Sequence, residues 1–165
     1  SYGGSSALLG AGYVEGNLDA MREMLTSPVT VTGLADAGAH VKLICDGSAP
    51  STQLSLWTRD RTRGETIPLE FVVEKQTRRN ARLYGLADRG TLEVGMRADV
   101  NVIDLDRLTV RRPVAHTDLP AGGFRFLQPV QGYVATFVHG VQTRSHDTDT
   151  GARPGRLLRR PGARV

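Results

Sequence analysis

The segment Val29–Leu34 constrains the fold most, because it is mostly β-branched and apolar. This composition is typical of a strand buried on both faces, as in a parallel sheet covered by helices. The strand would end at Asp36, followed by the small residues 37–39 and His40. Enzymes of the α/β class place catalytic carboxylates at such strand ends, although Asp36 could equally cap the next helix. The sequence therefore predicts an α/β fold and leaves two roles open for Asp36.

A short helix is predicted before this strand. Asn17 is placed to cap it, and Pro28 ends it. Leu18, Met21 and Leu25 are spaced to share one face. The pattern therefore indicates an amphipathic helix that packs on the core.

Two further helical segments follow the strand. Thr52–Arg61 carries the only tryptophan, Trp57, which we expect in the core. Pro68 suits the first turn of a helical region that ends at Gly85, with Thr77 as a second cap within it.

The pattern changes near Leu86, after which strands are expected. Ala98–Asp104 and Tyr133–Val141 carry the alternation of half-buried strands. Residues 118–123 contain a proline and two glycines and are predicted to form a loop. We therefore divide the chain into a helical part with one buried strand and a β-rich part.

Charge and composition argue against several partners. The net charge is +4, but the basic residues are dispersed and almost all arginine, so no nucleic-acid surface is expected. The basic stretch Arg153–Arg164 is predicted to be a solvated tail. No apolar run approaches the roughly 18 residues of a membrane span. Cys45 is the single cysteine, which indicates a reducing, cytoplasmic location.

Several motifs resemble the amidohydrolase superfamily, and within it the N-acyl-D-amino-acid deacylase (D-aminoacylase) branch. The run Thr32–His40 resembles the end of the eighth barrel strand, where an aspartate faces the metal centre. The other motifs that carry the resemblance are, in order, Trp57 with Arg59-Asp60-Arg61, Thr62-Arg63-Gly64-Glu65, Pro68-Leu69-Glu70, Thr77 with residues 81–86, residues 88–92, Gly95 with residues 98–104, and Gly151 with residues 154–158. Their order and spacing over essentially the whole chain make the resemblance specific.

The resemblance implies a (β/α)₈ TIM barrel with a small flanking β-sandwich built from both chain ends. Residues 1–86 would supply the last strand and helices of the barrel. Residues 87–165 would supply the C-terminal part of the sandwich and its basic tail. Because the other barrel strands would lie upstream, we expect the isolated chain to be inactive and to associate or be poorly stable.

The resemblance also implies a metal-dependent reaction. One or two zinc ions would lower the pKa of a bound water to about 7. Asp36 would act as general base and acid on the metal-bound hydroxide, and as a weak metal ligand. The family's His-x-His pair and later barrel histidines have no counterpart among His40, His116, His139 and His146. The other ligands would therefore lie outside this chain.

Further candidate side chains each have two interpretations. His40 either contacts substrate or has a structural position. Arg59, Arg61 and Arg63 either bind a substrate carboxylate or form ion pairs on a helix, with ion pairing favoured. Cys45 is either a small buried residue or a reactive thiol, and the lack of a neighbouring histidine or second cysteine favours the first.

We expect the full-length protein to hydrolyse the linear amide C–N bond of N-acyl-D-amino acids, which are small-molecule substrates. One alternative is a hydrolase of cyclic amides such as hydantoins and dihydropyrimidines. The other is a catalytically incompetent fragment that serves as a structural or interaction module. Residues outside the chain decide among the substrates. No membrane partner is expected, and the oligomeric state stays open.

Overall fold

The computed structural model describes residues 17–33, 35 and 44–158. Within these residues the elements up to Tyr84 are helical and the elements after it are strands, with one short 3₁₀ turn at Pro120–Gly122. The change of pattern thus falls where the sequence predicts it. The α-helices are α1 (Asp19–Thr26), α2 (Ala49–Ser55), α3 (Leu69–Glu74) and α4 (Asn80–Tyr84).

Helix α1 has the predicted amphipathic face. Leu18, Met21 and Leu25 all pack against the buried core. The helix begins two residues after Asn17, whose side-chain oxygen accepts the backbone N–H of Asp19 at 2.9 Å. The side chain of Asn17 thus satisfies one of the amides that a helix start leaves unpaired.

Helix α2 is preceded by a 3₁₀ turn, Asp46–Ser48, and continues into a π-helical turn, Leu56–Asp60. Trp57 lies in that turn and is 3% exposed. The expectation that Trp57 belongs to the core is confirmed.

Helices α3 and α4 form one uninterrupted helical run, because a π-helical turn, Lys75–Arg79, joins them. The predicted second cap at Thr77 is wrong, since the Thr77 hydroxyl donates to the carbonyl oxygen of Val73 at 2.7 Å inside the run. Gly85 ends the run with a left-handed φ of 69°, a conformation that glycine adopts without a steric penalty.

The described residues of the β-rich part, 87–158, form eight strands in three antiparallel sheets. A four-stranded sheet has the order β1-β6-β7-β8, and two-stranded sheets pair β2 with β5 and β3 with β4. The strands are β1 (Val100–Ile103), β2 (Thr109–Val110), β3 (Val114–Leu119), β4 (Gly123–Leu127), β5 (Val130–Gln131), β6 (Tyr133–Val138), β7 (Val141–Ser145) and β8 (Thr148–Asp149).

Strands β1 and β6 lie inside the two segments that the sequence predicts as strands. The predicted loop at residues 118–123 is the turn of the β3–β4 hairpin, together with the adjoining ends of its strands. Alternation could not reveal β3, because its first five residues are all exposed.

Buried apolar residues of the helical and β-rich parts belong to one cluster among the described residues. Leu54, Trp57, Ile67 and Val72 come from the helical part, and Leu108, which is fully buried, comes from the β-rich part. The division into domains at Leu86 therefore stays a prediction.

The prediction of a buried strand over Val29–Leu34 is wrong for its described residues, 29–33. Pro28 and Val29 lie in a turn, and residues 30–33 form no strand. Val29 is 89% exposed, whereas a strand buried on both faces would cover it. The physical reason is that a parallel strand needs hydrogen-bonded neighbours, and none lies beside this segment among the described residues. No barrel is present in this part of the chain.

Candidate functional site

Asp36 and His40 both lie outside the described residues, so their predicted roles stay predictions. The structure describes the segment that leads to Asp36, from the end of α1 through Gly33, and then Ala35. It shows how two side chains of the helical run 69–84, Lys75 and Asn80, hold that segment.

Lys75 caps the C-terminal end of α1. Its side chain is almost fully buried, and its Nζ donates to the carbonyl oxygens of Leu25 and Ser27, the latter at 3.1 Å. A third bond runs to Oγ1 of Thr30 at 2.7 Å. Carbonyl groups at a helix end have no partner within the helix, and a cation there also interacts favourably with the helix dipole. Lys75 therefore satisfies several oxygen atoms with one buried ammonium group.

Burial lowers the pKa of Lys75 below its ordinary value of 10.5, and the nearby charge of Arg79 lowers it further. The unfolded chain then binds more protons than the folded chain just below pH 10.5, so the free energy of unfolding should rise as the pH rises through that window. We expect Lys75→Met to lose this rise. The measurement is urea unfolding at several pH values between 8 and about 10.5.

The matched control for this pH dependence is Gln76→Met, which alters the next residue of the same helix but removes no titrating group. It should keep the rise seen in the wild type. An equal rise in Lys75→Met would show that other groups cause it.

Asn80 holds the same segment farther along. Its Nδ2 donates to the carbonyl oxygen of Thr32 at 2.8 Å. Oδ1 of Asn80 and Oγ1 of Thr32 are both buried and have no hydrogen-bond partner among the described residues. The contact to Thr32 lies four residues before Asp36.

The contacts of Arg59 and Arg61 favour ion pairing over the binding of a substrate carboxylate. Arg59 pairs with Asp60, with 2.5 Å between Nε and Oδ1, and its Nη2 donates to the carbonyl oxygen of Leu108 at 2.8 Å. Arg61 is buried, pairs with Asp19 and lies 4.8 Å from the centre of the Trp57 ring.

Arg63, the third predicted arginine, is exposed. Its carbonyl oxygen accepts a hydrogen bond of 2.8 Å from Nε of Arg61. The contacts of Arg59 and Arg61 thus tie helices and loops together.

Cys45 is half-buried, and burial raises the pKa of its thiol, with the charge of Asp46 raising it further. A raised pKa disfavours the thiolate, which is the reactive form of cysteine. The direction of this shift favours a small buried residue over a reactive thiol, and the choice between these two interpretations stays a prediction.

The three described histidines do not form a cluster. His116 lies on β3, and His139 and His146 have left-handed φ angles of 52° and 45° in the turns before and after β7. All three are exposed. In the part of the chain that the structure describes, no group of three or more His, Cys, Asp or Glu side chains could hold a metal ion.

A cavity of about 930 Å³ lies between residues 44–51 and the strands β4, β6 and β7. The hydroxyls of Ser51 and Tyr133, 2.8 Å apart, line it together with Phe126 and Arg144. Neither Lys75 nor Asn80 is among its lining residues. The cavity is therefore separate from the segment that leads to Asp36.

Lys75 and Asn80 are the residues that motif reasoning missed. Their contacts join positions more than 40 residues apart, which no local pattern reveals. The sequence gives one indication of a special role for Lys75, which is one of only two lysines among 21 basic residues. A compact ammonium suits a site with several carbonyl oxygens better than a planar guanidinium does.

A model of the amidohydrolase family matches residues 8–144. This match covers most of the chain, and it includes the Asp36 motif, the helical run and the sheet as far as β7. The chain belongs to the amidohydrolase family.

Three curated relatives are similar to parts of the chain. An N-acyl-D-glutamate deacylase of Alcaligenes xylosoxydans xylosoxydans is 41% identical over 96 residues, which is 58% of this chain and 18% of the relative. An imidazolonepropionase of Agrobacterium fabrum is 36% identical over 112 residues, 63% of this chain and 26% of the relative. An allantoinase of Streptomyces avermitilis is 42% identical over 72 residues, 42% of this chain and 16% of the relative.

The chain thus spans about a quarter or less of the length of each of these relatives. No solved structure matches the chain significantly. In the described parts of the chain, no helix has the length and apolar character needed to cross a membrane.

Proposed function

We propose that this chain is the C-terminal part of a metal-dependent amidohydrolase that cleaves the amide bond of N-acyl-D-amino acids. The observation that carries the proposal is the similarity to an N-acyl-D-glutamate deacylase, at 41% identity over 96 residues. It agrees with the family match over residues 8–144, which includes Asp36. Within the full-length protein, the segment Val29–Leu34 would pair with upstream strands as the last strand of a TIM barrel.

Asp36 is the proposed general base and acid. Its carboxylate would accept a proton from the attacking water and then deliver it to the leaving nitrogen, so that the products are a carboxylate and a free D-amino acid. A position just beyond a buried strand would place this carboxylate at the catalytic end of the barrel.

A bound zinc ion supplies two effects in such enzymes, because it polarises the amide carbonyl and lowers the pKa of water. The described residues do not fit a zinc site, since they contain no suitable group of His, Cys, Asp or Glu. We therefore propose that the full-length protein provides the ligands from outside this chain, with Asp36 at most a weak additional one.

The experiment is hydrolysis by the full-length, zinc-loaded protein. We expect release of glutamate from N-acetyl-D-glutamate to exceed release from the L-enantiomer by about tenfold or more, which corresponds to roughly 1.4 kcal/mol of discrimination. Chelation of the metal should abolish the activity and zinc should restore it.

Two other results would contradict this proposal, and each would favour a different function. Hydrolysis of allantoin or another hydantoin without release from acyl amino acids would favour the cyclic-amide alternative, for which the allantoinase relative is the supporting observation. No hydrolysis of either class would favour a non-catalytic interaction module. The observation for that module is the exposure of large apolar side chains such as Val29, Leu92 and Val94.

A further inference from the structure

The cavity of about 930 Å³ between residues 44–51 and the strands β4, β6 and β7 has the size of a pocket for a small organic molecule. Its walls are mainly apolar, and the residues that line it include Phe126, Leu127, Val130 and Val138. A ligand in this cavity would therefore remove an apolar body from water, which favours binding.

Three arginines line the cavity, and two of them are neutralised by carboxylates. Arg125 donates to the two oxygens of Asp118 at 2.8 and 2.7 Å. Arg153 donates to the two oxygens of Asp149 at 2.9 and 2.6 Å. The hydrogen bond from Arg153 is the main reason why the pKa of Asp149 falls to about 2, so this carboxylate stays ionised at neutral pH. Arg125 and Arg153 therefore each have a counter-ion within the protein.

Arg144, on β7, is the third arginine that lines the cavity. Its Nη2 donates to the carbonyl oxygen of Asp147 at 2.6 Å, and its Nε is buried without a hydrogen-bond partner among the described residues. No described carboxylate forms an ion pair with it, and no described residue accepts a hydrogen bond from its Nη1. The charge of Arg144 contributes to the low pKa of Asp149, but that carboxylate is already bound by Arg153. Arg144 thus brings to the cavity a positive charge that has no ion pair in the part of the chain that the structure describes.

Four uncharged polar side chains also line the cavity. The hydroxyls of Ser51 and Tyr133 lie 2.8 Å apart, and the hydroxyl of Ser48 donates to Oε1 of Gln128. Both serines are buried. When one hydroxyl of the Ser51–Tyr133 pair donates to the other, the accepting hydroxyl keeps its own proton for a further hydrogen bond. The cavity thus offers polar groups besides the charge of Arg144.

We propose that this cavity binds a small monocarboxylate with an apolar body, such as a medium-chain fatty acid, and that Arg144 holds its carboxylate. One arginine without a counter-ion balances one negative charge, and a carboxylate accepts charge-assisted hydrogen bonds from a guanidinium. A phosphate or nucleotide would bring a second negative charge into mainly apolar walls, where an unpaired charge is costly. The apolar walls would cover the hydrocarbon part of the ligand.

The test is isothermal titration calorimetry of the full-length protein with sodium octanoate and with octan-1-ol, which has the same chain without the charge. We expect octanoate to bind about tenfold more tightly than octanol. Arg144→Met should weaken octanoate binding by about tenfold or more and leave octanol binding within about twofold. Arg82→Met is the matched control, because Arg82 is exposed on α4 and does not line the cavity, and it should change neither affinity.

Cys45 provides a second readout that places the ligand, since this half-buried residue lines the same cavity. Saturating octanoate should slow alkylation of Cys45 by iodoacetamide about threefold or more in the wild type, followed by mass spectrometry of the peptide that contains it. Arg144→Met at the same octanoate concentration should lose this protection. The readout separates binding here from binding of a carboxylate to a catalytic metal, which would leave Cys45 unprotected.

Equal octanoate affinity in the wild type and Arg144→Met would overturn the proposal, and so would unprotected Cys45 or no binding at all. If Arg144→Met does not fold, Ala152→Trp decides instead. Ala152 is a half-buried lining residue, so an indole there fills space without removing a charge and should abolish binding of both probes. Unchanged octanoate binding in that variant would equally refute the site. None of these measurements uses turnover, so failure of the proposed hydrolase function leaves this test intact.

Discussion

Replacing Asp36 by asparagine is expected to lower kcat of the full-length enzyme by about 10²- to 10⁴-fold, the usual contribution of a positioned general acid or base. Asparagine keeps the size of the side chain and one hydrogen-bonding oxygen, but it cannot take up a proton at neutral pH. The measurement is kcat and KM for N-acetyl-D-glutamate with the zinc-loaded protein. KM should change little, because the lost proton transfer belongs to the transition state.

Asp88→Asn is the matched control for this substitution. This variant makes the same chemical change at an exposed carboxylate. Asp88 pairs with Arg89, with 2.9 Å between Oδ1 and Nε, and it lies far along the chain from the proposed site. We expect turnover of this variant to equal that of the wild type. The metal content of Asp36→Asn should be measured as well, since a lost ion would lower the rate for another reason. Normal turnover by metal-loaded Asp36→Asn would refute the assigned role.

Local patterns in the sequence were sufficient for much of the fold. The face formed by Leu18, Met21 and Leu25 is fixed by helical spacing, and the end of the helical run at Gly85 by a left-handed backbone angle. Both features depend on residues within one or two turns of each other. Features of this kind therefore depend little on contacts with distant parts of the chain.

The buried strand at Val29–Leu34 shows where local patterns fail. Its composition suits a parallel strand, but strand formation depends on hydrogen bonds to neighbours that are distant in sequence. Among the described residues no such neighbour exists, and Val29 is left exposed. The segment has the composition of a strand, but it can form one only where partner strands supply the hydrogen bonds.

The candidate site shows the same difference between features set by local patterns and contacts between residues distant in sequence. Asp36 can be proposed from its place after a strand-like segment and from the order of the motifs around it. The contacts of Lys75 and Asn80 could not be predicted from the sequence, because each joins two segments that meet only after the helical run packs against the end of α1. The sequence predicts a cap at Thr77 in the same run, whereas the run continues through this residue.

The second large effect concerns the core that the helical and β-rich parts share. Leu108→Ala is expected to lower the free energy of unfolding of the 165-residue chain by about 2–5 kcal/mol, the usual result for a large-to-small change in a core. Leu108 is completely buried, in the same cluster as Trp57. The backbone of Gly132 packs so closely against it that a Cβ at Gly132 would lie 2.7 Å from Cα of Leu108, leaving the surroundings little freedom to collapse into the cavity.

Leu92→Ala is the control, because it makes the same chemical change at a side chain that is 84% exposed. Its effect should stay within about 0.5 kcal/mol. Urea unfolding should be followed both by the fluorescence of Trp57, the only tryptophan, and by far-ultraviolet circular dichroism.

These two probes also test the division near Leu86. Trp57 reports on the helical part, whereas Leu108 belongs to the β-rich part, so a shared core requires that Leu108→Ala shift both transitions together. A shift in circular dichroism with an unchanged fluorescence transition would show that the β-rich part unfolds by itself. The boundary would then separate two independent domains, and the contacts of Leu108 with the helices would contribute little to stability.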